Sequence, residues 1–379
     1  MIHVQHLLGV GHLQRSLQLA AALARQRFQV ELVSGGMPQA INVPDGVRFR
    51  QLAPLYSADS SFKHLLDADG NEIDDAWRAR RKQQLLDLFA SFAPQALITE
   101  TFPFGRRMLR FELLPLLQAA RDSSSCALVI ASIRDILQPK SKPGRNHEIC
   151  EWVEQYYDHV LVHGDESVAR LADSFELAQR IESRLYYSGY ICASGDRSPA
   201  ENEGDGEVLV SAGGSATGLR ILQTAIATKP RSTLHNLRWR LLVSPAVSAA
   251  NFEELQRLAG PGILVERNRP DFSELVKRAR LSISQAGYNT ITDILNSDTA
   301  SVVIPFAEAD EIEQTLRARR LQDRGRLVAL AQQDLSTDTL ARAMATADEG
   351  HSALAANLDG ARNSALMVER WLATAEANR

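Results

Sequence analysis

The chain has few cysteines, few aromatic residues and no long apolar run. Its three cysteines, Cys126, Cys150 and Cys192, are odd in number, far apart and never in a CxxC pair. Neither a disulfide framework nor a zinc site follows from that spacing, and a reducing compartment suits it. No stretch approaches the ~18 uninterrupted apolar residues of a membrane-spanning helix. The start, Met1-Ile2-His3-Val4-Gln5-His6, has no basic segment and no long apolar one behind it, so no secretory signal is expected. A cytoplasmic location fits, with peripheral contact to a membrane left open. An excess of one charge is also missing. The formal net charge is -4, from 42 Lys+Arg and 46 Asp+Glu, which gives no reason to expect nucleic acid as a partner.

What is present is the composition of a folded protein, 45% hydrophobic and 23% charged. At 379 residues the chain is too long for one ordinary core and suits two domains. Strand-like runs alternate with helical patterns from end to end, the signature of α/β layers on parallel sheets. In the first half strands are expected at 2–8, 30–34, 96–99, 128–132 and 159–163, with helices at 15–25 and 76–92 and a polar, irregular stretch at 59–75. The segment ASGDRSPAENEGDG at 193–206 has linker chemistry. A second set of strands then begins at 208–212, with helices expected at 271–278, 290–296, 311–324 and 338–347, and an amphipathic helix at 359–373. The domains read as 1–192, 193–358 and a returning helix in 359–379.

Each half opens a helix with glycines where a strand ends. The first loop is Leu8-Gly9-Val10-Gly11-His12; the second runs Gly213-Gly214-Ser215-Ala216-Thr217-Gly218. Glycine lets backbone approach a ligand, and the helix N-terminus beyond offers N–H groups to an anion. Tight turns also use glycine for steric reasons alone. Neither loop is GxxxxGK[ST], and Gln14 stands where GxGxxG would need its third glycine, which disfavours a dinucleotide dehydrogenase.

His12 follows Gly11 at a loop tip on the sheet edge where open α/β folds bind ligands. It is either a general base, with an ordinary pKa near 6.5, or a capping or packing histidine. His3 and His6 lie inside the first strand and read as structural. His159 and His163 share a strand face with no carboxylate pattern beside them, so no metal is assigned there. Glu100 ends a strand on the same edge and is the second candidate base. Arg106 and Arg134 follow strand ends there too. Arg134 either meets a phosphate on a substrate or pairs with Asp135. The segment 108–117 reads as a core-facing helix or a membrane-surface one.

In the second half, Ser284-Gln285-Ala286-Gly287-Tyr288-Asn289-Thr290-Ile291-Thr292-Asp293 is another strand–loop–helix junction. Asn289 or Thr290 is expected to cap the helix, placing Asp293 in its first turn. The helix dipole alone would explain a carboxylate there; the functional alternative is acceptance of hydrogen bonds from ribose hydroxyls. Glu313 and Gln314, on the helix after Ile304-Pro305-Phe306, offer acceptors to sugar hydroxyls.

Taken together, VQHLLGVGHLQRSLQLAAAL, SAGGSATG, SQAGYNTITDIL and VIPFAEADEIEQTLRARRLQDRG resemble the GT-B glycosyltransferases, in particular family 28. The resemblance implies two Rossmann-like domains facing across a cleft, with the C-terminal helix crossing back to the first. It implies a metal-independent, inverting transferase that uses a UDP-sugar or other nucleotide-sugar and needs no cofactor. The acceptor would be a small molecule or lipid-linked. Gly11, Gly213, Gly214, Ser215, Gly287, Asn289, Thr290, Asp293, Glu313 and Gln314 would serve the donor, His12 or Glu100 would be the base, and Arg106 and Arg134 would serve the acceptor. The first loop, LGVGH, is sparser in glycine than that of the family's peptidoglycan member. A nucleotide-sugar hydrolase, an epimerase and a non-enzymatic nucleotide-sugar sensor share the same features and stay open as alternatives.

Overall fold

A computed structural model describes residues 1–7, 10–57, 64–139, 143–192, 198–213, 216–307 and 311–377 of the chain. It divides into two compact units: Met1–Cys192 with Asp359–Arg379, and Ala193–Leu358.

The first unit is built on a seven-stranded, all-parallel sheet. Its strands are β1 (Ile2–Val4), β2 (Val30–Ser34), β3 (Val47–Gln51), β6 (Ala96–Glu100), β7 (Leu128–Arg134), β8 (His159–His163) and β9 (Leu185–Tyr187), in the order β3-β2-β1-β6-β7-β8-β9. Between β3 and β6, β4 (Tyr56–Ser57) pairs antiparallel with β5 (Leu65–Leu66), and β5 lies within the stretch 59–75 expected to be irregular. Helices cover both faces, as a wholly parallel sheet requires. On one face α1 (Gly11–Arg25) and the final helix, α11 (Gly360–Ala377), bury Leu13, Leu17, Ala365, Val368 and Leu372 against Ile2, Val4, Leu32 and Ile98. On the other, α2 (Asp75–Phe92), α3 (Arg110–Asp122) and α4 (Arg145–Tyr156) bury Leu85, Phe89, Leu113, Leu117 and Val153 against Val33, Leu97 and Val129. The alternation of Leu32 with Val33, and of Leu97 with Ile98, is the two-residue period of a strand. α3 faces the core: its Glu112 is fully buried against Arg81 of α2, at 2.7 Å.

The second unit repeats the plan with six parallel strands: β10 (Val208–Ala212), β11 (Trp239–Val243), β12 (Ile263–Arg267), β13 (Leu281–Ser284), β14 (Ala300–Val303) and β15 (Val328–Ala329). Their order is β12-β11-β10-β13-β14-β15. Its helices are α5 (Ala216–Thr228), α6 (Ala249–Leu258), α7 (Phe272–Arg278), α8 (Tyr288–Leu295), α9 (Glu313–Asp323) and α10 (Thr337–Asp348). Arg240, buried on β11, is held by Glu207 at 2.7 Å, Glu266 at 2.6 Å and Glu203 at 3.0 Å.

Among the boundaries that differ from expectation, such as the start of α1 at Gly11 rather than 15, three have a local cause. The first strand stops at Val4 because Gln5 turns its side chain onto the carbonyls of His6 and Leu55. The helix expected from 290 starts at Tyr288 with Gly287 as its N-cap and no side-chain cap, so Asn289 and Thr290 are helical rather than capping. The helix expected from 311 starts at Glu313, after the Glu311 carboxylate has accepted the Glu313 N–H.

Candidate active site

In an open parallel sheet, ligands bind beyond the carboxyl ends of the strands, at the point where strand order reverses. In the first unit that point lies between β1 and β6. β1 leads to α1, which opens at Gly11 without a side-chain cap and carries His12 and Arg15 one turn apart. β6 ends on Glu100. The structure therefore brings together His12, Arg15 and Glu100, residues up to 88 apart in sequence. His12 Nδ1 lies 2.8 Å from Glu100 Oε1. Arg15 Nη2 donates to the same carboxylate oxygen and stands 3.3 Å from His12 Nδ1. Thr101 Oγ1 is 3.4 Å from the same imidazole nitrogen. Arg15 was not among the residues singled out from sequence. Its spacing of three from His12 on a helix was the available signal.

Burial decides the protonation of this group. Desolvation lowers the His12 pKa from 6.5 to about 4, although the Glu100 charge and hydrogen bond pull it up. The imidazole is thus neutral near pH 7. Burial pushes the Glu100 carboxyl up, but its interaction and hydrogen bond with His12 and the charge of Arg15 outweigh it and hold the carboxyl well below its usual range. With Glu100 ionised, Nδ1 carries the hydrogen and donates to it, which leaves Nε2 as the basic nitrogen. Glu100 is 2% exposed, and its Oε2 is buried without a hydrogen-bond partner. Arg106 donates through Nε to the Gln5 carbonyl at 3.0 Å. Its charge and that of Arg134 both bear on His12, lowering its pKa. Thr101 and Arg106 hold left-handed backbone angles, φ 66 and 57, just after Glu100. Strain of this kind in non-glycine residues concentrates at functional sites.

In the second unit the reversal lies between β10 and β13. It too is spanned by a hydrogen bond, from the Gly213 N–H to Gln285 Oε1 at 2.9 Å. Gly214 and Ser215 lie outside the described residues. Gly218 has a steric role: a Cβ there would meet the Gly213 carbonyl oxygen at 2.0 Å. Asp293 sits in the second turn of α8, not the first, because the helix begins earlier than expected. It is 6% exposed and accepts from Ser273 Oγ of α7. Burial pushes its carboxyl up to about 6, against the Ser273 hydrogen bond and the Lys277 charge. Asn289 is exposed and Thr290 half-buried. Glu313 is buried against Arg317 at 2.9 Å, and Arg317 reaches the Ala286 carbonyl at 3.3 Å. Gln314 Oε1 accepts the Phe306 N–H at 3.0 Å, which leaves its amide hydrogens for a ligand. Ser273, Gln285 and Arg317 were not read from sequence; each acts through a partner distant in the chain or in a different element.

Among the described residues, no group of three or more His, Cys, Asp or Glu is placed to hold a metal ion, and no helix is long and apolar enough to cross a membrane.

Residues 208–369 match the glycosyltransferase family 28 C-terminal domain. A UDP-N-acetylglucosamine–N-acetylmuramyl-(pentapeptide) pyrophosphoryl-undecaprenol N-acetylglucosamine transferase of Paramagnetospirillum magneticum is 26% identical over 186 residues, 46% of this chain and 50% of that protein. The chain thus spans about half the length of this curated relative. Among solved structures, the glycotransferase of kitacinnamycin is similar with a TM-score of 0.62 at 17% identity, covering 98% of both chains. The spinosyn rhamnosyltransferase SpnG complexed with thymidine diphosphate has a TM-score of 0.61 at 15% identity, covering 98% of this chain and 96% of that one. The chain thus has the fold of the GT-B glycosyltransferases, and its residues 208–369 carry a glycosyltransferase family 28 C-terminal domain.

Proposed function

We propose that the chain transfers a sugar from a nucleotide-sugar, UDP-linked, to a hydroxyl acceptor with inversion, its second unit binding donor and its first unit acceptor. The observation that carries the proposal is the neutral His12 imidazole held by the ionised Glu100 at the strand reversal of the first sheet. His12 Nε2 takes the proton of the acceptor hydroxyl, and Glu100 stabilises the imidazolium that forms. The acceptor oxygen bonds to the anomeric carbon as the bond to the diphosphate breaks; a single displacement inverts that centre. The N-terminus of α5, lined by Gly213, Gly214 and Ser215, takes up charge on the departing diphosphate without a metal. Asp293 accepts from the ribose, beside Gly287, Asn289 and Thr290, while Glu313 and Gln314 serve the donor sugar. Gly11 lets the reactants approach α1. Arg106 and Arg134, whose charges bear on His12, favour an acceptor with an anionic group. A small anionic alcohol and a diphosphate-linked lipid at a membrane surface both meet that description.

The test is product analysis with UDP-sugars in the presence of EDTA, with and without a pool of phosphorylated hydroxyl acceptors. Acceptor-dependent UDP release with a β-configured product from an α-configured donor supports the proposal. Free sugar at the same rate without acceptor would make the chain a hydrolase. Loss of turnover in EDTA would remove the metal-independent step.

A further inference from the structure

Asp293 and Ser273 lie on different helices, 20 residues apart, yet the hydroxyl of Ser273 donates directly to Asp293 Oδ1. Both are nearly buried, at 6% and 8% exposure. A carboxylate at the ribose position has two needs. One oxygen must be turned toward the ligand, and the group must stay ionised while shielded from water. Ser273 bears on both: it occupies Oδ1, which fixes the side-chain rotation and leaves Oδ2 for another donor, and its hydrogen bond favours the charged form. Lys277, one turn along α7 and itself paired with Glu274 at 2.9 Å, adds a positive charge from the same side. Asp293 is the single acid on α8, so no like charge on its own helix opposes it.

We propose that Ser273 is a positioning residue for donor binding, fixing the Asp293 carboxylate so that it accepts the ribose diol of the donor nucleotide. The proposal rests on the ribose role given to Asp293 above. It has a consequence for pH. Burial holds the Asp293 carboxyl at about 6 in the unliganded protein. Ribose hydroxyls donate to the ionised form, so diol binding releases a proton and strengthens as pH rises through that value.

The experiment is calorimetric titration of the full chain with UDP and with 2′-deoxy-UDP from pH 5 to 8. The two ligands share their phosphate titration, so their affinity ratio isolates the ribose contact. Wild type is expected to prefer UDP by roughly tenfold or more at pH 7.5, a single charge-assisted hydrogen bond, and less at pH 5. Ser273→Ala should cut that preference to about a third or less and move its midpoint upward in pH, while Ser273→Thr restores both. A Ser273→Ala protein that keeps the wild-type ratio and midpoint, alongside an Asp293→Asn protein that loses the preference, overturns the role of Ser273 alone. Retention of the preference in Asp293→Asn overturns the ribose assignment and this proposal with it.

Discussion

His12 Nδ1 and Glu100 Oε1 lie 2.8 Å apart across the strand reversal of the first sheet, with the basic Nε2 on the far side of the ring. Because burial lowers the His12 pKa to about 4, rather than the ordinary 6.5 expected from sequence, the acid limb of kcat/KM should fall near pH 4 with a plateau through neutrality. His12→Ala is expected to lose about 10²–10⁴-fold in kcat with nucleotide Kd near wild type. Glu100→Gln should lose about 10²-fold or more and move the limb to lower pH, since the Glu100 charge raises the His12 pKa. A limb that moves upward, or survives in His12→Ala, would assign the base elsewhere.

Arg15 supplies part of the charge that keeps Glu100 ionised despite burial. In Arg15→Leu the carboxyl pKa rises, and its protonated form cannot stabilise an imidazolium. The pH–rate profile should then acquire a second ionisation at higher pH. Arg15→Lys, which keeps the charge, should restore much of the single-limb profile. Equal profiles for Arg15→Leu and wild type would show that Arg15 only packs the helix.

Acid should weaken the two units differently. Burial lowers the pKa of His3 to about 3, of His12 to about 4 and of His163 to about 3, all in the first unit. Unfolding exposes each to water, so the unfolded chain binds more protons between about pH 4 and 6.5, and stability falls as pH drops through that window. The slope approaches about 1.4 kcal/mol per pH unit for each histidine. Asp293 in the second unit has the opposite sign: its raised pKa means the folded form holds the extra proton, and stability rises on acidification through about 6. Hydrogen exchange at pH 7 and pH 5 should show protection lost over β1, β6 and β8 first. A larger loss over β10 and β13 would contradict this.

Asp293→Asn should separate binding from folding. Holding this carboxylate ionised at pH 7 costs on the order of 3 kcal/mol, from a pKa raised from 3.8 to about 6. The amide carries no such cost, so the unliganded variant is expected to melt higher at pH 7 while binding UDP more weakly. A lower melting temperature with unchanged Kd would reduce Asp293 to a packing residue.

Gly218→Ala places a methyl group against the Gly213 carbonyl oxygen, backbone against side chain with nothing flexible between them. The start of α5 must shift, and UDP affinity should fall by about tenfold. Calorimetry checks this, with circular dichroism to confirm that the second unit stays folded. Unchanged affinity would detach this glycine from the donor.

The parallel α/β plan was legible because apolar runs such as Leu128–Arg134 alternate with helical patterns, and local pattern reports local structure. β3 carries its own signal in Val47-Arg48-Phe49-Arg50-Gln51, an alternation at half-buried and exposed positions. β15 has two residues and no pattern to read. His12 and Glu100 were each visible as residues at a strand's carboxyl end, but their bond was not, because strand order decides that β1 and β6 are neighbours. Ser273 sits outside any motif. Its role exists only because α7 packs on α8, a tertiary fact with no local trace.

Ile191 and Asp359 pair as an isolated antiparallel bridge, and the Gly360 N–H donates to the Tyr190 carbonyl at 3.0 Å. Adding a Cβ at Gly360 would bring it within 2.2 Å of the Gly189 carbonyl oxygen, so the two strands of chain are pressed together where the first unit is left and rejoined. Topologically, residues 193–358 are a cassette inserted between two points about 5 Å apart. Such a joint lets one module be exchanged by recombination without reopening the host's core. On the proposed division of labour, swapping the cassette would exchange the donor module while the first unit kept its hydrogen bonds throughout.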